Sequence, residues 1–368
     1  MRESREQMCR TWLSLCEGVS LKARARLLAA FGSFQAAFER FPAGFDGLVS
    51  TKTIEELGKL KAVGLDRLLM RLEELGIRRA YLGDAQTYPG MLSHIPDPPD
   101  VLFYRGLLTG AEERAVAIVG SRRETRYGRN QAYRIAMDLA QHGVTVVSGL
   151  ARGIDTAAHR GALDGKGRTI AVLGSGLSRL YPEENKKLAE EIVAAGGAIV
   201  SELPPNTEPL AYHFPMRNRI VSGLAQALLL VEAREKSGTL ITVGHALDQG
   251  RDVFALPGEV DAPGSLVPHR VIRTGGRLCT CAGDILEDMG WAEHPVPQPE
   301  QVQMALPMLP PDQQAICLAL QDEDKGFDEL LAVTGLGTAG INTALTMLEL
   351  EGLLEPLPGR RFKLRRHA

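Results

Sequence analysis

The chain has 368 residues, of which 44% are hydrophobic, 24% charged and only 5% aromatic. This composition is typical of globular proteins, it excludes disordered, fibrous and membrane-spanning chains, and the length predicts two or three domains. The sequence holds 42 lysine and arginine residues against 45 aspartate and glutamate residues, a net charge of -3. A uniformly basic nucleic-acid coat is therefore excluded, whereas local basic patches stay open.

The N-terminal sequence and the cysteines predict a cytoplasmic protein. The segment MRESREQMCRTWLSL carries charges of both signs and lacks the apolar core of a signal peptide. An odd number of scattered cysteines favours reduced thiols over a disulfide framework, and the one Cys-x-Cys lacks further ligands at metal-binding spacing, so we expect no metal site. The cysteines are Cys9, Cys16, Cys279, Cys281 and Cys317.

Residues 1–82 are predicted to form a helical module. Apolar residues spaced three and four apart indicate helices from residue 12 to 82, and glycines fall where these helices end. The pattern is similar to the sterile-alpha-motif-like (SAM-like) or helix-hairpin-helix modules of DNA proteins. Because the turns carry no basic cluster, a purely structural packing unit is the favoured interpretation. Residues 83–114 are rich in proline and predict a connection.

Residues 115–290 alternate short apolar runs with amphipathic segments, which predicts an α/β domain. Such alternation is typical of an extended Rossmann-like, doubly wound and mostly parallel sheet. The predicted strands are AVAIVG, VTVVSG, TIAVLG, AIVSE, ALLLVEA and DVFALPG. The predicted helices span residues 127–142, 155–164, 183–195, 217–225 and 239–249.

The loops after these strands combine glycine with arginine or hydroxyl residues, which predicts a phosphate site. Ligands bind beyond the carboxyl ends of strands in such sheets, and glycine lets backbone amides approach an anion closely. Any single loop of this kind is about as well explained by ordinary turn chemistry, but the recurrence favours a site. Its candidate residues are Gly120, Ser121, Arg122, Gly149, Arg152, Gly153, Gly174, Gly176, Ser237, Gly238 and Thr239.

Familiar phosphate-binding enzymes fit this sequence poorly. The first loop has no G-x-G-x-x-G, the second strand ends at Ser148-Gly149 without an acidic residue for a ribose, and no P-loop is present. No assembled catalytic motif appears either, so we expect no catalytic residues and no cofactor. Asp155 is expected to cap the helix that it opens, and His159 to be a structural histidine.

The C-terminal residues predict a linker and a winged helix. Residues 291–308 are rich in proline and glutamine, and residues 309–368 read as three helices followed by a hairpin. The third helix exposes Thr338, Asn342 and Thr346 but no early lysine or arginine, which weakens a DNA-reading role. The hairpin is basic, and DNA backbone contact, protein contact and a solvated tail stay open for it. Its basic residues are Arg360, Arg361, Lys363, Arg365 and Arg366.

Seven ordered strings across the predicted sheet resemble the DprA (DNA-processing protein A) family, also called Smf. They are IVGSR (118–122), SGLARGID with AH (148–159), TIAVLGSGL with YPEEN (169–185), FPMRNRIVSGL (214–224), VEA (231–233), SGTLIT (237–242) and GR-VFALPG (250–258). The resemblance implies a non-enzymatic, homodimeric protein that binds and protects single-stranded DNA and helps load RecA during natural transformation (competence) and recombination.

The resemblance also implies a DNA pocket at Gly120, Ser121 and Arg122 and at Arg217, Asn218 and Arg219. Phe214 offers a ring for base stacking, although core packing explains it equally well. Either arginine of the second group is alternatively an ion-pair partner of Glu202 or Glu232.

The strings around Met216–Arg219 and Ser237–Thr239 also resemble nucleotide phosphoribohydrolases of the cytokinin-activating LOG type, which act on nucleoside monophosphates. The glutamate of their P-G-G-x-G-T-x-x-E motif is replaced here by Thr242. Because a hydroxyl is no general base near neutral pH, binding without hydrolysis is the favoured interpretation.

Overall fold

The protein is described from a computed structural model. The structure describes residues 3–110, 114–235, 237–291, 310–320, 324–350, 353–357 and 360–364. The chain divides into two compact units, Met1–Glu293 and His294–Ala368. The helical module and the large sheet lie in the first unit.

Five helices open the first unit and enclose an aromatic core. The Trp12 ring is fully buried, meets the Phe38 ring edge-on at 4.9 Å, and its indole N–H donates to the Leu57 carbonyl. The first helix begins before residue 12 because Ser4 and Gln7 form a capping box. The five helices are α1 Arg5–Ser14, α2 Leu21–Phe31, α3 Phe34–Arg40, α4 Thr51–Val63 and α5 Leu65–Glu74.

A nine-stranded sheet forms the rest of the first unit. Its strands are β1 Arg78–Tyr81, β2 Val101–Gly106, β3 Ala115–Val119, β4 Thr145–Ser148, β5 Thr169–Val172, β6 Ala198–Ser201, β7 Ala227–Leu230, β8 Asp252–Ala255 and β9 Arg277–Leu278. Its helices are α6 Gly90–Ser93, α7 Arg126–Gln141, α8 Ile154–Asp164, α9 Lys186–Ala194, α10 His213–Gly223, α11 Thr239–Asp248, α12 Leu266–Arg273 and α13 Ala282–Asp288, and a short 3-10 turn spans Glu183–Asn185.

The strand order β1-β2-β6-β5-β4-β3-β7-β8-β9 is that of a doubly wound sheet. All pairs from β6 to β9 are parallel, which confirms the predicted mostly parallel Rossmann-like fold. The order reverses at β3, which lies between β4 and β7. The crevice at such a reversal is the place where open α/β sheets bind ligands.

Two segments differ from the sequence prediction. Residues 78–81, predicted as the end of a helical region, form β1, and the proline-rich stretch 83–114 contains β2. Strand β1 pairs antiparallel with β2, and β2 pairs antiparallel with β6. The helical reading failed here because β2 supplies a partner for the short Arg-Arg-Ala-Tyr run, and tertiary pairing outweighs local propensity. Helix α10 also starts at His213 rather than at residue 217, because Pro215 is tolerated within a first turn.

The second unit has the predicted three helices and hairpin of a winged helix. Buried Ile316, Leu330, Ile341 and Leu348 hold its core together. The predicted Thr338, Asn342 and Thr346 are exposed on its third helix, whereas residues 292–308 of the predicted linker and Arg365 and Arg366 lie outside the described residues. The elements are α14 Pro311–Ala319, β10 Lys325–Gly326, α15 Phe327–Thr334, α16 Thr338–Leu350, β11 Leu354–Leu357 and β12 Arg361–Leu364.

The five cysteines are free thiols, and all except Cys281 are buried. Burial raises the pKa of Cys9 to about 11 and of Cys16 to about 12, which makes these thiols unreactive. Across the described ranges, no cluster of histidine, cysteine, aspartate or glutamate has the arrangement of a metal site. No single helix among the same residues is long and apolar enough to cross a membrane; only α15 and α16, bent by 112° to each other, meet that test as a pair.

Candidate functional site

A cavity of about 750 Å³ opens where the strand order reverses. We call it the strand-end cavity, since its walls are the segments that follow β3, β4 and β7 together with the start of α10. Ten of the predicted site residues line it: Gly120, Ser121, Arg122, Gly149, Phe214, Arg217, Asn218, Ser237, Gly238 and Thr239. The other five, Arg152, Gly153, Gly174, Gly176 and Arg219, do not.

Gly149 follows β4 directly and lines the strand-end cavity. A β-carbon at this position would lie 2.6 Å from Arg217 Nη2 and 2.7 Å from Asp155 Oδ2. Gly153 follows with a φ of +80°, and a β-carbon there would lie 2.3 Å from the Ser121 carbonyl oxygen. Gly149 therefore leaves room for the Arg217 and Asp155 side chains, and Gly153 allows the loop after β4 to pack against the loop after β3.

Arg217 is 4% exposed and forms part of the floor. Its Nη1 donates to the carbonyl oxygens of Gly149, at 2.7 Å, and Val172, and its Nε donates to Asn218 Oδ1 at 3.3 Å. Burial, reinforced by the charge of Arg122, lowers the pKa of Arg217 to about 10, while Asp155 opposes the shift. The guanidinium stays charged at neutral pH and ties the ends of two strands together.

Asp155 lies beside Arg217 and is 7% exposed. Its Oδ2 accepts hydrogen bonds from the amides of Gly149, at 3.1 Å, and Ala151, at 3.3 Å. The predicted capping role is wrong, because Gly153 is the N-cap and Asp155 is the second residue of α8. The carboxylate instead holds the preceding loop, and burial raises its pKa above the ordinary value.

His159 lies one turn further along α8 and is fully buried. Its Nδ1 lies 2.7 Å from Thr169 Oγ1, which itself donates to the Val146 carbonyl, so the histidine donates through Nδ1–H. Burial, with a smaller contribution from the charge of Arg217, lowers the pKa of His159 to about 3. The side chain is a neutral part of the structure beneath the cavity.

One wall of the cavity is aromatic and carries a cation. The guanidinium of Arg122 lies over the Phe214 ring, 5.1 Å from its centroid. The Tyr181 ring meets Phe214 edge-on at 5.7 Å, and a β-carbon at Gly174 would lie 2.8 Å from Phe214 Cδ1. Phe214 is thus half-buried between neighbours, and Gly174 supports it from outside the cavity.

The opposite wall is the loop after β7. Ser237 Oγ donates to Thr239 Oγ1, and the latter donates to the Gly120 carbonyl at 3.2 Å, which joins this loop to the one after β3. Helix α11 begins at Thr239, whose amide donates to Ser237 Oγ at 3.2 Å, and the next two amides donate to the carbonyls of Ser237 and Gly238. Arg234 projects from this loop and is exposed.

Three of the five predicted residues outside the cavity have other partners. Arg219 is 5% exposed and forms ion pairs with Glu202 and Asp97, which bears out the ion-pair alternative. Exposed Arg152 pairs with Glu184, and Gly176 donates its amide to the Thr207 carbonyl at 2.9 Å.

Positive charge dominates the strand-end cavity. Its charged lining residues in the described part of the chain are Arg122, Arg123, Arg217, Arg234 and Asp155. Of the arginines, the exposed Arg122, Arg123 and Arg234 form no ion pair with any described carboxylate. Sequence reasoning passed over Arg123, Arg234 and Tyr181, although each stands in a string that the sequence analysis had quoted or that adjoins one: GSRR, EAREKSG and YPEEN.

The family model for DNA recombination-mediator protein A matches residues 80–290, more than half of the chain. The chain belongs to this family. A DprA winged helix domain model matches residues 298–360. Protein Smf of Escherichia coli K12 is 41% identical over 291 residues, which are 77% of this chain and 76% of that protein. DNA processing protein DprA of Bacillus subtilis is 42% identical over 226 residues, 61% of this chain and 75% of that one.

Solved structures agree with this assignment. DNA processing protein A from Streptococcus pneumoniae matches with a TM-score of 0.64 and 31% identity, covering 78% of this chain and 99% of that one. DNA processing protein A from Helicobacter pylori, whose structure concerns a single-stranded DNA binding mode, matches with a TM-score of 0.52 and 26% identity, covering 59% of this chain and 97% of that one.

Proposed function

We propose that the strand-end cavity binds single-stranded DNA through its phosphates. The observation that carries this proposal is the set of exposed arginines, Arg122, Arg123 and Arg234, that line the cavity and pair with no described carboxylate. An unpaired guanidinium keeps all its donors available, and phosphate oxygens are the acceptors that suit their geometry.

The backbone of the cavity adds to this attraction. Helix α11 begins at the cavity and α8 begins one residue before the lining residue Asp155, so the positive dipole ends of both helices would favour a bound anion there. Gly149 and Gly238 remove side chains that would keep a phosphate away from the backbone. A polymer of phosphates fits better than a dinucleotide, because no acidic residue follows β4 to bind a ribose.

We propose different roles for the predicted pocket residues. Gly120, Ser121, Arg122 and Asn218 are proposed to contact the strand directly, whereas Arg217 shapes the floor and adds charge from below. Arg219, with its two carboxylates, is proposed to position α10. The exposed ion pair of Arg152 with Glu184 is weak, so Arg152 can exchange its partner for a phosphate of a longer strand.

The cellular role that we propose is the one that the family resemblance implies. The Helicobacter pylori relative is described with single-stranded DNA, and the wider resemblance implies loading of RecA in natural transformation and recombination. We propose the same role here, for a cytoplasmic homodimer without catalytic activity. Two cavities in one dimer would hold one strand with higher avidity than either alone. RecA bound to oligo-dT, measured with and without the protein, tests the loading step.

The binding proposal is tested by fluorescence anisotropy with oligo-dT and with a duplex of equal length. We expect tighter binding of the single strand, and a log-log dependence on salt with a slope of about -0.7 per phosphate contacted. Binding that ignores salt, or that prefers the duplex, would contradict the proposal.

The phosphoribohydrolase alternative is tested at the same cavity. Thr242, which stands where the hydrolase pattern has glutamate, lines the cavity and is buried. Asp155 is the one described carboxylate of the lining, and two backbone amides already occupy it. We therefore expect no release of free base when the protein is incubated with nucleoside monophosphates; release at enzymatic rates would favour the hydrolase.

A further inference from the structure

A buried carboxylate, that of Glu232, lies close to the strand-end cavity without lining it. The residue is 6% exposed and comes shortly after the end of β7. On one side of it, the Val231 amide donates to the Val119 carbonyl at 3.1 Å. On the other side, the Ala233 amide donates to the Gly264 carbonyl at 2.9 Å. Because both neighbours are held by hydrogen bonds, the Glu232 side chain extends from a fixed part of the sheet edge.

The Glu232 carboxylate binds Thr125, which is the N-cap of α7. Its Oε2 accepts from the Thr125 amide at 3.0 Å, and its Oε1 accepts from the Thr125 hydroxyl group. A β-carbon at Gly128 would lie 2.3 Å from Glu232 Cδ, so this glycine makes room for the carboxylate. Both oxygens of a carboxylate are acceptors, which suits the two donors of Thr125. The start of α7 is thereby tied to the segment after β7.

The loop between β3 and α7 is held at both ends. At its start, the Ser121 carbonyl accepts from the first amide of α8 at 3.2 Å. At its end, Glu232 holds Thr125. Arg122 and Arg123 lie between these two points, and both are exposed. Fixing both ends of the loop limits the positions that the two guanidinium groups can reach.

The segment that carries Glu232 also carries the third unpaired arginine, Arg234, which is exposed and lines the cavity. Glu232 therefore joins the loop of Arg122 and Arg123 to the loop of Arg234. A negative charge at this place repels phosphates and by itself weakens DNA binding. No described arginine or lysine forms an ion pair with this carboxylate, so the arginines keep their charge for a ligand.

We infer that Glu232 is a positioning residue of the phosphate site, which sets the loop of Arg122 and Arg123 against the loop of Arg234. The inference rests on the proposed function and deepens it. The charge of the carboxylate and its hold on Thr125 act on DNA binding with opposite signs. Removing the charge alone should tighten binding, whereas removing the hold on Thr125 should weaken it.

The experiment measures the affinity for oligo-dT and its salt dependence in Glu232→Ala and Glu232→Gln. Glu232→Ala should bind about tenfold more weakly, with a salt slope shallower by about 0.7 to 1.4, since one or both arginines of the loop leave their phosphates. Glu232→Gln should keep the wild-type slope and an affinity at or above that of the wild type, because an amide group bonds both atoms of Thr125 without the charge. Tighter binding by both variants, or wild-type behaviour of Glu232→Ala, would overturn the inference.

A double-mutant cycle separates positioning from a general loss of stability. Arg122→Ala should weaken binding by about tenfold in the wild type but by less than about threefold in Glu232→Ala, because the contact of Arg122 is already impaired there. Independent, additive effects would overturn the inference. Thr125→Ala breaks the hydroxyl bond to Glu232 at an exposed residue, and it should reduce the effect of Arg122→Ala in the same direction, so the cycle can be measured even where Glu232→Ala fails to fold.

The matched control is Asp284→Ala. Asp284 accepts from the amide and the hydroxyl group of Thr280, at 2.6 and 2.9 Å, in the first turn of α13 and outside the cavity. Its removal breaks the same pair of bonds and should leave the full tenfold effect of Arg122→Ala; a reduced effect here as well would assign the coupling to lost stability and overturn the inference. If Arg122→Ala has no effect in the wild type, the proposed function itself fails.

Discussion

Two cavities in the described part of the first unit are lined by arginine, and their arginines differ in their partners. The strand-end cavity has Arg122, Arg123 and Arg234 without ion pairs to described carboxylates. The second, which we call the helical cavity, has a volume of about 540 Å³ and is lined by residues of α1 and α2 and of the segments after β1 and before β2. There, both Arg10 and Arg24 reach a carboxylate.

Asp100 is the carboxylate that forms ion pairs with both arginines of the helical cavity. Arg10 donates from Nε to Asp100 Oδ1 at 3.0 Å and from Nη1 to the Leu82 carbonyl at 3.0 Å. Arg24 Nη1 lies 3.9 Å from Asp100 Oδ2 and donates to Ser14 Oγ at 2.8 Å. Arginine content alone therefore does not identify an anion site. A cavity whose arginines lack a carboxylate partner is the better candidate, because the charge of a paired guanidinium is already neutralised.

Removing the carboxylate of the helical cavity should have the largest effect on stability. Asp100→Asn leaves Arg10 and Arg24 half-buried without their counterion, so the free energy of unfolding should fall by about 3 kcal/mol. Urea denaturation measures the loss. Glu190→Gln, which breaks the more exposed pair with Arg105, serves as control and should cost about 0.5 kcal/mol. Affinity for oligo-dT should be unchanged in both variants. A large loss of affinity in Asp100→Asn would assign the DNA contact to the helical cavity instead of the strand-end cavity.

Acid is expected to act on the floor of the strand-end cavity, through His159. The pKa of this histidine is about 3 in the folded protein, against 6.5 for an ordinary histidine. The unfolded chain takes up a proton below pH 6.5 that the folded chain excludes, so the free energy of unfolding falls as pH drops from 6.5 towards 3. By pH 5 the loss should be about 2 kcal/mol.

A variant isolates this contribution. His159→Gln cannot titrate, so its loss of unfolding free energy between pH 7 and pH 5 should be smaller than that of the wild type by the same 2 kcal/mol or so. Urea denaturation at both pH values provides the measurement. Parallel losses in the two proteins would show that acid acts elsewhere.

The sequence predicted the fold because periodicity is a local signal. Strands β3 to β8 and helices α7 to α11 were located to within a few residues, whereas α12, β9 and α13 were not predicted. Glycine-rich loops after the predicted strands marked the edge of the sheet where the cavity lies. Ordered strings such as FPMRNR and SGTLIT then narrowed the ligand class. The failure at Arg78–Tyr81 has a non-local cause: this run carries no strand signal of its own and becomes a strand only beside β2.

The sequence could not show which residues the side chains of the site contact. Arg217 and Arg219 stand two residues apart in one motif, yet one ties together the ends of β4 and β5 and the other pairs with Glu202 and Asp97. Which carboxylate meets which arginine depends on contacts between residues far apart in the chain. The same holds for Phe214, whose covering by Arg122 no spacing rule reveals.

Replacing one exposed arginine of the strand-end cavity tests the proposed phosphate contact directly. Arg122→Ala should weaken binding of oligo-dT by about tenfold and make the salt slope shallower by about 0.7, because one charge-assisted phosphate contact is lost. Its melting temperature should stay that of the wild type, since the side chain is exposed. Arg67→Ala removes another exposed charge, from α5, and should leave affinity unchanged, so an equal loss in both variants would point to net charge.

Arg217→Ala should lower both affinity and stability, because its guanidinium also donates hydrogen bonds to the Gly149 and Val172 carbonyls. Arg122 alone therefore separates binding from folding.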